Sequence, residues 1–222
     1  MNSLLHAPHR NRERLPLVGR REELERLRSF FAAGERLVTL LGPPGIGKTR
    51  LAFHHAAEEA SFDPAAVVCV DLSEARTAAD LAERLLASLG LPPDDIGPEQ
   101  RLGDALRSRG PLLLVLDNCE YLEPEARQLV DGALALAPLL RVLATSQVRL
   151  GIEGEVCFDL PPLAPADAVA LYEAEARRCD PHVRLERAAV EELTERLDRN
   201  ALAWGTRSTS TGGARRAARR RT

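Results

Sequence analysis

Short unbroken apolar runs alternate along this chain with stretches whose apolar positions recur every three or four residues. Leu24, Leu27, Phe30 and Phe31 sit at helical spacing after the polar segment VGRREEL and predict a first amphipathic helix, closed by Gly34. Leu37 to Leu41 is a short apolar run of strand length, followed across a glycine-rich loop by TRLAFHHAAEEA, which has helix-forming composition. Ala66 to Leu72 reads as a second strand, and Thr77 with Asp80 forms a capping-box start for a helix carrying Leu81, Leu85, Leu86 and Leu89. Gly90 suits its C-terminal cap, LPPDDIGP reads as a loop, and residues 99–109 as another helix. The run PLLLVLD has no polar break before its aspartate and predicts the most buried strand. A helix over 123–137, a strand from Leu140 to Thr145, a turn around Gly151 to Gly154 and a strand near Glu155 to Leu160 complete the series. Strands alternating with helices predict an α/β fold: a parallel five-stranded sheet with helices on both faces, three layers in all. Beyond PPLAP the pattern turns purely helical, with Ala166 to Arg178 and Glu186 to Leu197 as the start of a small helical domain. The expected division is a flexible leader at 1–15, the sheet domain at 16–164, a partial helical domain at 165–203 and a basic tail at 204–222.

Composition narrows this picture. With 222 residues and 45% hydrophobic content, the chain can bury a core of ordinary domain size. Its formal charge is −3, and removing the six arginines of residues 205–222 leaves about −9 on the first 204 residues. That body has no general attraction for nucleic acid. No apolar run reaches the roughly 20 residues that span a bilayer, and the start MNSLLHAPHRNRER lacks the apolar segment of a signal peptide. These features predict a cytoplasmic location with no membrane partner. Cys69, Cys119, Cys157 and Cys179 match neither zinc nor redox spacing and read as small buried hydrophobes in a reducing compartment. His54 and His55, with no further ligand at suitable spacing, read as surface or core residues.

The chemistry is concentrated between the first strand and its helix. GPPGIGKT at residues 42–49 fits G-x-x-x-x-G-K-[ST], with Gly42, Gly47, Lys48 and Thr49 at the defining positions and Gly45 as a third glycine. Glycines let backbone N–H groups curl around phosphates, and the helix that follows adds its positive end. The candidate nucleotide-binding residues are therefore Gly42, Pro43, Pro44, Gly45, Ile46, Gly47, Lys48 and Thr49, with Arg50 directly after them. Lys48 would bridge the β- and γ-phosphates of ATP, and the Thr49 hydroxyl would ligate Mg²⁺. Lys48 is also the only lysine in a chain whose other 29 basic residues are arginine. A compact ammonium is hard to replace there by a planar guanidinium. Asp117, at the end of LLLVLD, is the expected second Mg²⁺ anchor. The strand Ala66 to Leu72 falls between the phosphate loop and Asp117, an insertion that points to the ASCE branch of P-loop NTPases, which includes AAA+ ATPases. That branch sets a glutamate beside the aspartate to polarise water, where this chain has Asn118. The nearest acids are Glu120 and Asp71, so Glu120 is the candidate activator and turnover is expected to be slow.

VGRREEL, TLLGPPGIGKTRLA, LLLVLDNCEYL, RVLATSQVRLGIEGE and LPPLAPADAVALY, in this order, resemble the bacterial STAND ATPases, relatives of the NB-ARC domains. The similarity covers about residues 16–203 and is greatest to the ATPase modules of SARP (AfsR-like) and large LuxR-type transcriptional regulators. It implies a switch in which ADP keeps the protein closed and exchange for ATP opens it toward self-association or a regulatory partner. It also implies that Val18, Gly19 and Arg20 lie near the adenine, and Thr145 and Ser146 near the γ-phosphate. Three departures accompany it. Gln147 stands where the family often has a γ-phosphate-sensing arginine. Ala201 stands at the place of the proline in the family's GLPLA motif. After Ala203 the pattern gives way to an Arg/Gly/Thr tail, read either as the product of a shifted frame or truncation, or as a genuine basic tail with weak affinity for acidic partners or nucleic acid. An active AAA+-type ATPase and a fragment that no longer binds nucleotide are the rival functional readings.

Overall fold

A computed structural model of the chain describes residues 17–92 and 97–199. The leader, the middle of the LPPDDIGP loop, Ala201 and the basic tail lie outside the described residues. Among the described residues five strands form one sheet: β1 (Leu37–Leu41), β2 (Val67–Asp71), β3 (Leu112–Asp117), β4 (Leu140–Ser146) and β5 (Glu155–Asp159). All pairings are parallel, in the order β2-β3-β4-β1-β5. Five helices precede the last strand: α1 (Arg21–Ala32), α2 (Lys48–Phe62), α3 (Ala78–Ser88), α4 (Pro98–Arg107) and α5 (Pro124–Leu136). Two more, α6 (Pro165–Cys179) and α7 (Arg187–Arg196), follow it and pack on each other.

Two apolar cores fill the space between layers because side chains of a strand alternate between faces. Leu112, Leu114 and Leu116 of β3 meet α3, α4 and α5, whereas Leu113 and Val115 of the same strand join the core under α1 and α2. Both faces being covered explains why the sequence of β3 is continuously apolar. The capping box of α3 forms as expected, with the Thr77 hydroxyl accepting from Asp80 N–H and the Asp80 carboxylate accepting from Thr77 N–H.

The sheet corrects one inference. The strand separating β1 from β3 is β4, which lies later in the chain, while β2 occupies the sheet edge. The branch of fold named from the sequence is the right one, but β2 was not the inserted strand. The cysteines also divide: Cys69 and Cys119 are buried, Cys157 is half-buried and Cys179 is exposed. Of the histidines, His55 is buried and His54 lies at the surface near Glu58. Among the described residues no helix is long and apolar enough to cross a membrane.

Candidate functional site

The phosphate loop begins where β1 ends and finishes as α2 starts. Its three glycines have positive φ, +152° at Gly42, +83° at Gly45 and +107° at Gly47, the last being the residue that caps α2. An L side chain rarely adopts such backbone angles, so the glycine spacing is a geometric requirement of the bend. Ile46 is buried in the α1/α2 core and pins the loop from beneath. Arg20, itself buried, donates to the Ile46 carbonyl at 3.0 Å and is held in turn by Glu23 at 2.6 Å. The chain before α1 therefore braces the loop.

Lys48 turns back across the loop, its ammonium donating to the carbonyls of Gly42 at 2.7 Å and Pro43 at 3.1 Å. Only 8% of the residue is exposed. Burial lowers its pKa from the usual lysine value, partly countered by the carboxylates of Glu120 and Asp117. One cation thus faces two acids delivered by β3 and the turn after it. Asp117, 1% exposed, accepts on one carboxylate oxygen from the Thr49 hydroxyl at 2.7 Å and from the Thr145 hydroxyl at 2.5 Å. Thr49 and Asp117 offer paired hard oxygen donors at the start of α2 and the end of β3. That set fits Mg²⁺, which is commonly held by one or two protein oxygens together with substrate phosphates and water. Among the described residues no cluster of three or more His, Cys, Asp or Glu side chains offers an alternative metal site.

The remaining candidates lie at the end of β4, before α1, in the first turn of α2 and in the loop itself. Thr145 spends its hydroxyl on Asp117 and accepts from Asn118 N–H at 3.1 Å, so it orients the aspartate. Ser146 is buried and accepts from Val148 N–H at 3.2 Å. Val18 packs against Leu163, Ala168 and Leu171, and Gly19 at φ +67° lies directly against Asp167 of α6. Arg50 is half-buried, which lowers its pKa, and Glu175 of α6 offsets that burial. Pro43 and Pro44 form the outer part of the loop. Sequence reasoning missed the network that joins these groups. The Asn118 amide donates to Asp71 at 2.8 Å and to Asp117 at 3.4 Å, and Gln147 donates to Glu120 at 2.8 Å. No spacing rule would have revealed these contacts, since they link the ends of three different strands.

The chain is similar to several known proteins. The AAA ATPase domain family matches residues 16–145, which hold α1, the phosphate loop and Asp117. "Uncharacterized protein Rv0894" of Mycobacterium tuberculosis is 35% identical over 183 residues, covering 80% of this chain and 46% of that protein. "Putative HTH-type transcriptional regulator Rv0890c" of the same species is 36% identical over 173 residues, covering 75% of this chain and 19% of the other. The chain thus spans about half the length of one relative and about a fifth of the other. Among solved structures, Cdc6p from Pyrobaculum aerophilum aligns with a TM-score of 0.63 at 18% identity, over 81% of this chain and 55% of its own. A STAND protein with a tetratricopeptide repeat sensor from Pyrococcus horikoshii aligns at 0.50 and 20% identity, over 84% of this chain and 28% of its own. These two likenesses are of fold. With the family match extending from α1 through the phosphate loop, the Asp117 strand and on to Thr145, the chain belongs to the AAA ATPase domain family.

Proposed function

We propose that this chain is the ATP/ADP-binding switch module of a STAND-type transcriptional regulator, with slow or absent ATP hydrolysis. The observation that carries the reading is the convergence of Lys48, Thr49 and Asp117, with Lys48 held on the loop carbonyls and Thr49 bonded directly to Asp117. In this reading the glycine-bent loop binds the phosphates, Lys48 neutralises them, and Thr49 with Asp117 holds Mg²⁺, which would offset charge on the phosphate oxygens. The relative named as a helix-turn-helix regulator supports a regulatory setting, with DNA contact made by domains other than this one. A negative body charge agrees with that assignment. We place the nucleotide-binding domain at 16–164 and the helical segment at 165–203, in a cytoplasmic protein that self-associates or engages a protein partner when ATP replaces ADP.

Isothermal titration of ADP and ATP with Mg²⁺ into the wild type and Lys48→Ala tests the site. Wild-type protein should bind both nucleotides, and Lys48→Ala should bind ATP at least about tenfold more weakly, a loss of about 1.4 kcal/mol. Equal affinities in the two proteins overturn the assignment.

A further inference from the structure

We propose that Gln147 is a positioning residue that aims Glu120 as the base for ATP hydrolysis, an inference that rests on the nucleotide-binding reading above. The residue directly after Asp117 is an amide, and it is already committed, donating from its side chain to Asp71 at 2.8 Å and Asp117 at 3.4 Å. Its backbone is equally telling. Asn118 has φ +66°, a left-handed bend that turns the chain into a short 3-10 turn at Cys119–Tyr121. Cys119 anchors that turn, fully buried with its thiol directed at the Leu116 carbonyl at 3.3 Å. That turn carries Glu120, three positions beyond Asp117, whose carboxylate acts electrostatically on the Lys48 ammonium of the loop. Among the groups acting on the Lys48 ammonium, Glu120 is the larger of the two opposing burial, ahead of Asp117.

The Gln147 amide donates to Oε1 of Glu120 at 2.8 Å, across the gap between the end of β4 and the turn after β3. The second oxygen, Oε2, is buried and has no hydrogen-bond partner. A buried acceptor left bare is destabilising, and such a group in a native protein calls for an explanation. A water molecule would supply the missing donor. One oxygen is thus held by Gln147, which leaves the other as the acceptor for the proton of the attacking water. An amide performs this orientation without the positive charge of an arginine, which would make the carboxylate a poorer proton acceptor. In the step itself the water oxygen attacks the γ-phosphorus while its proton passes to Oε2 of Glu120. The bond from γ-phosphorus to the bridging oxygen breaks, its electrons leaving on ADP. Glu120 then releases the proton to solvent, so ATP and water yield ADP, phosphate and a proton. At its position Gln147 thereby acts through Glu120 rather than on the nucleotide.

Single-turnover hydrolysis of Mg-ATP by the wild type, Glu120→Gln, Gln147→Ala and the double variant tests this, with ATP affinity measured by titration in each. Glu120→Gln should slow hydrolysis about 100-fold and Gln147→Ala between about 10- and 100-fold, both with wild-type affinity for ATP. The double variant should be no slower than Glu120→Gln alone, because Gln147 has nothing left to aim. Losses that multiply, or a loss of ATP affinity in Gln147→Ala, mean that Gln147 touches the nucleotide itself and overturn the proposal. A wild type that binds ATP without hydrolysing it also overturns it and leaves the switch reading standing. Absence of binding removes both. A nucleotide-free readout is the side-chain amide resonance pair of Gln147, which should move toward the shift of an exposed glutamine in Glu120→Ala. An unchanged resonance contradicts the hydrogen bond and the inference with it.

Discussion

At the scale of single residues, His55 is a buried polar group outside the candidate site. It is 1% exposed, its ring is stacked on Phe31 with centroids 5.5 Å apart and planes 6° from parallel, and neither ring nitrogen has a hydrogen-bond partner. Burial lowers its pKa below the usual 6.5, with Glu59 acting against that and Arg141 with it. As pH falls below 6.5 the unfolded chain takes up a proton that the folded chain still refuses, so the unfolded state binds more protons and stability declines. His55→Phe keeps the stacked ring and removes both bare nitrogens. It should raise stability by about 1 kcal/mol at neutral pH and flatten the loss on acidification, measured as urea midpoints across the acid range. A variant with wild-type pH dependence would place the acid sensitivity elsewhere. None of this was legible in the sequence, where His54 and His55 look alike and only the fold separates surface from core. The glycines of the phosphate loop were legible because the backbone requirement is written in the residue type itself. Thr145 and Arg20 were singled out through resemblance, yet their hydrogen bonds go to Asp117 and to the Ile46 carbonyl, partners that no local pattern specifies.

At the scale of elements, local signals are written into short stretches and long-range ones are not. α3 illustrates the first: Thr77 and Asp80 satisfy one another's backbone N–H, and four buried residues, Leu81, Ala82, Leu85 and Leu86, follow at helical spacing. Thr77→Ala removes one half of that cap. It should cost about 1 kcal/mol, visible as a lower urea midpoint with an unchanged slope. Thr77→Ser should retain most of the difference, since a serine hydroxyl caps equally well, and a Thr77→Ser variant as weak as Thr77→Ala would argue for lost packing instead. β2 illustrates the second kind. Its apolar run predicts a strand, but whether that strand lies inside the sheet or at its edge depends on where β4 inserts, and β4 pairs with β1 across roughly a hundred intervening residues. Glu120 belongs with β2 in this respect. Its place in the turn after β3 follows one left-handed residue, Asn118, whose conformation the letters DNCE do not announce.

At the scale of the molecule, the sheet domain and the helical segment meet at the turn before α1. Gly19 has φ +67°, and a Cβ there would lie 2.4 Å from Cβ and Cγ of Asp167 in the first turn of α6. Next to it Val18 packs on Leu163, Ala168 and Leu171, and Arg20 reaches the phosphate loop at Ile46. A continuous line of contacts therefore joins α6 to the loop through three consecutive residues, and a shift at either end has a short mechanical route to the other. Gly19→Ala should force α6 away, because Cβ of a helical residue follows its backbone and has little freedom to yield. The expected result is faster amide exchange across α6 and α7, with β3 and β4 protected as in the wild type. Gly34→Ala is the control. Gly34 has φ +93°, and an added Cβ there meets nothing within 4 Å. That variant carries the left-handed strain, about 1–2 kcal/mol, without the collision. If the two variants lose the same protection in α6, backbone strain explains the effect and the contact does not. If only Gly19→Ala loosens α6, and if it also diminishes the rise in melting temperature produced by Mg-ADP, then closure of the helical segment and occupancy of the loop are linked through Gly19 and Arg20. ADP at about 100 times its dissociation constant should stabilise the wild type by about 2.7 kcal/mol, a gain large enough for such a decrease to be measured.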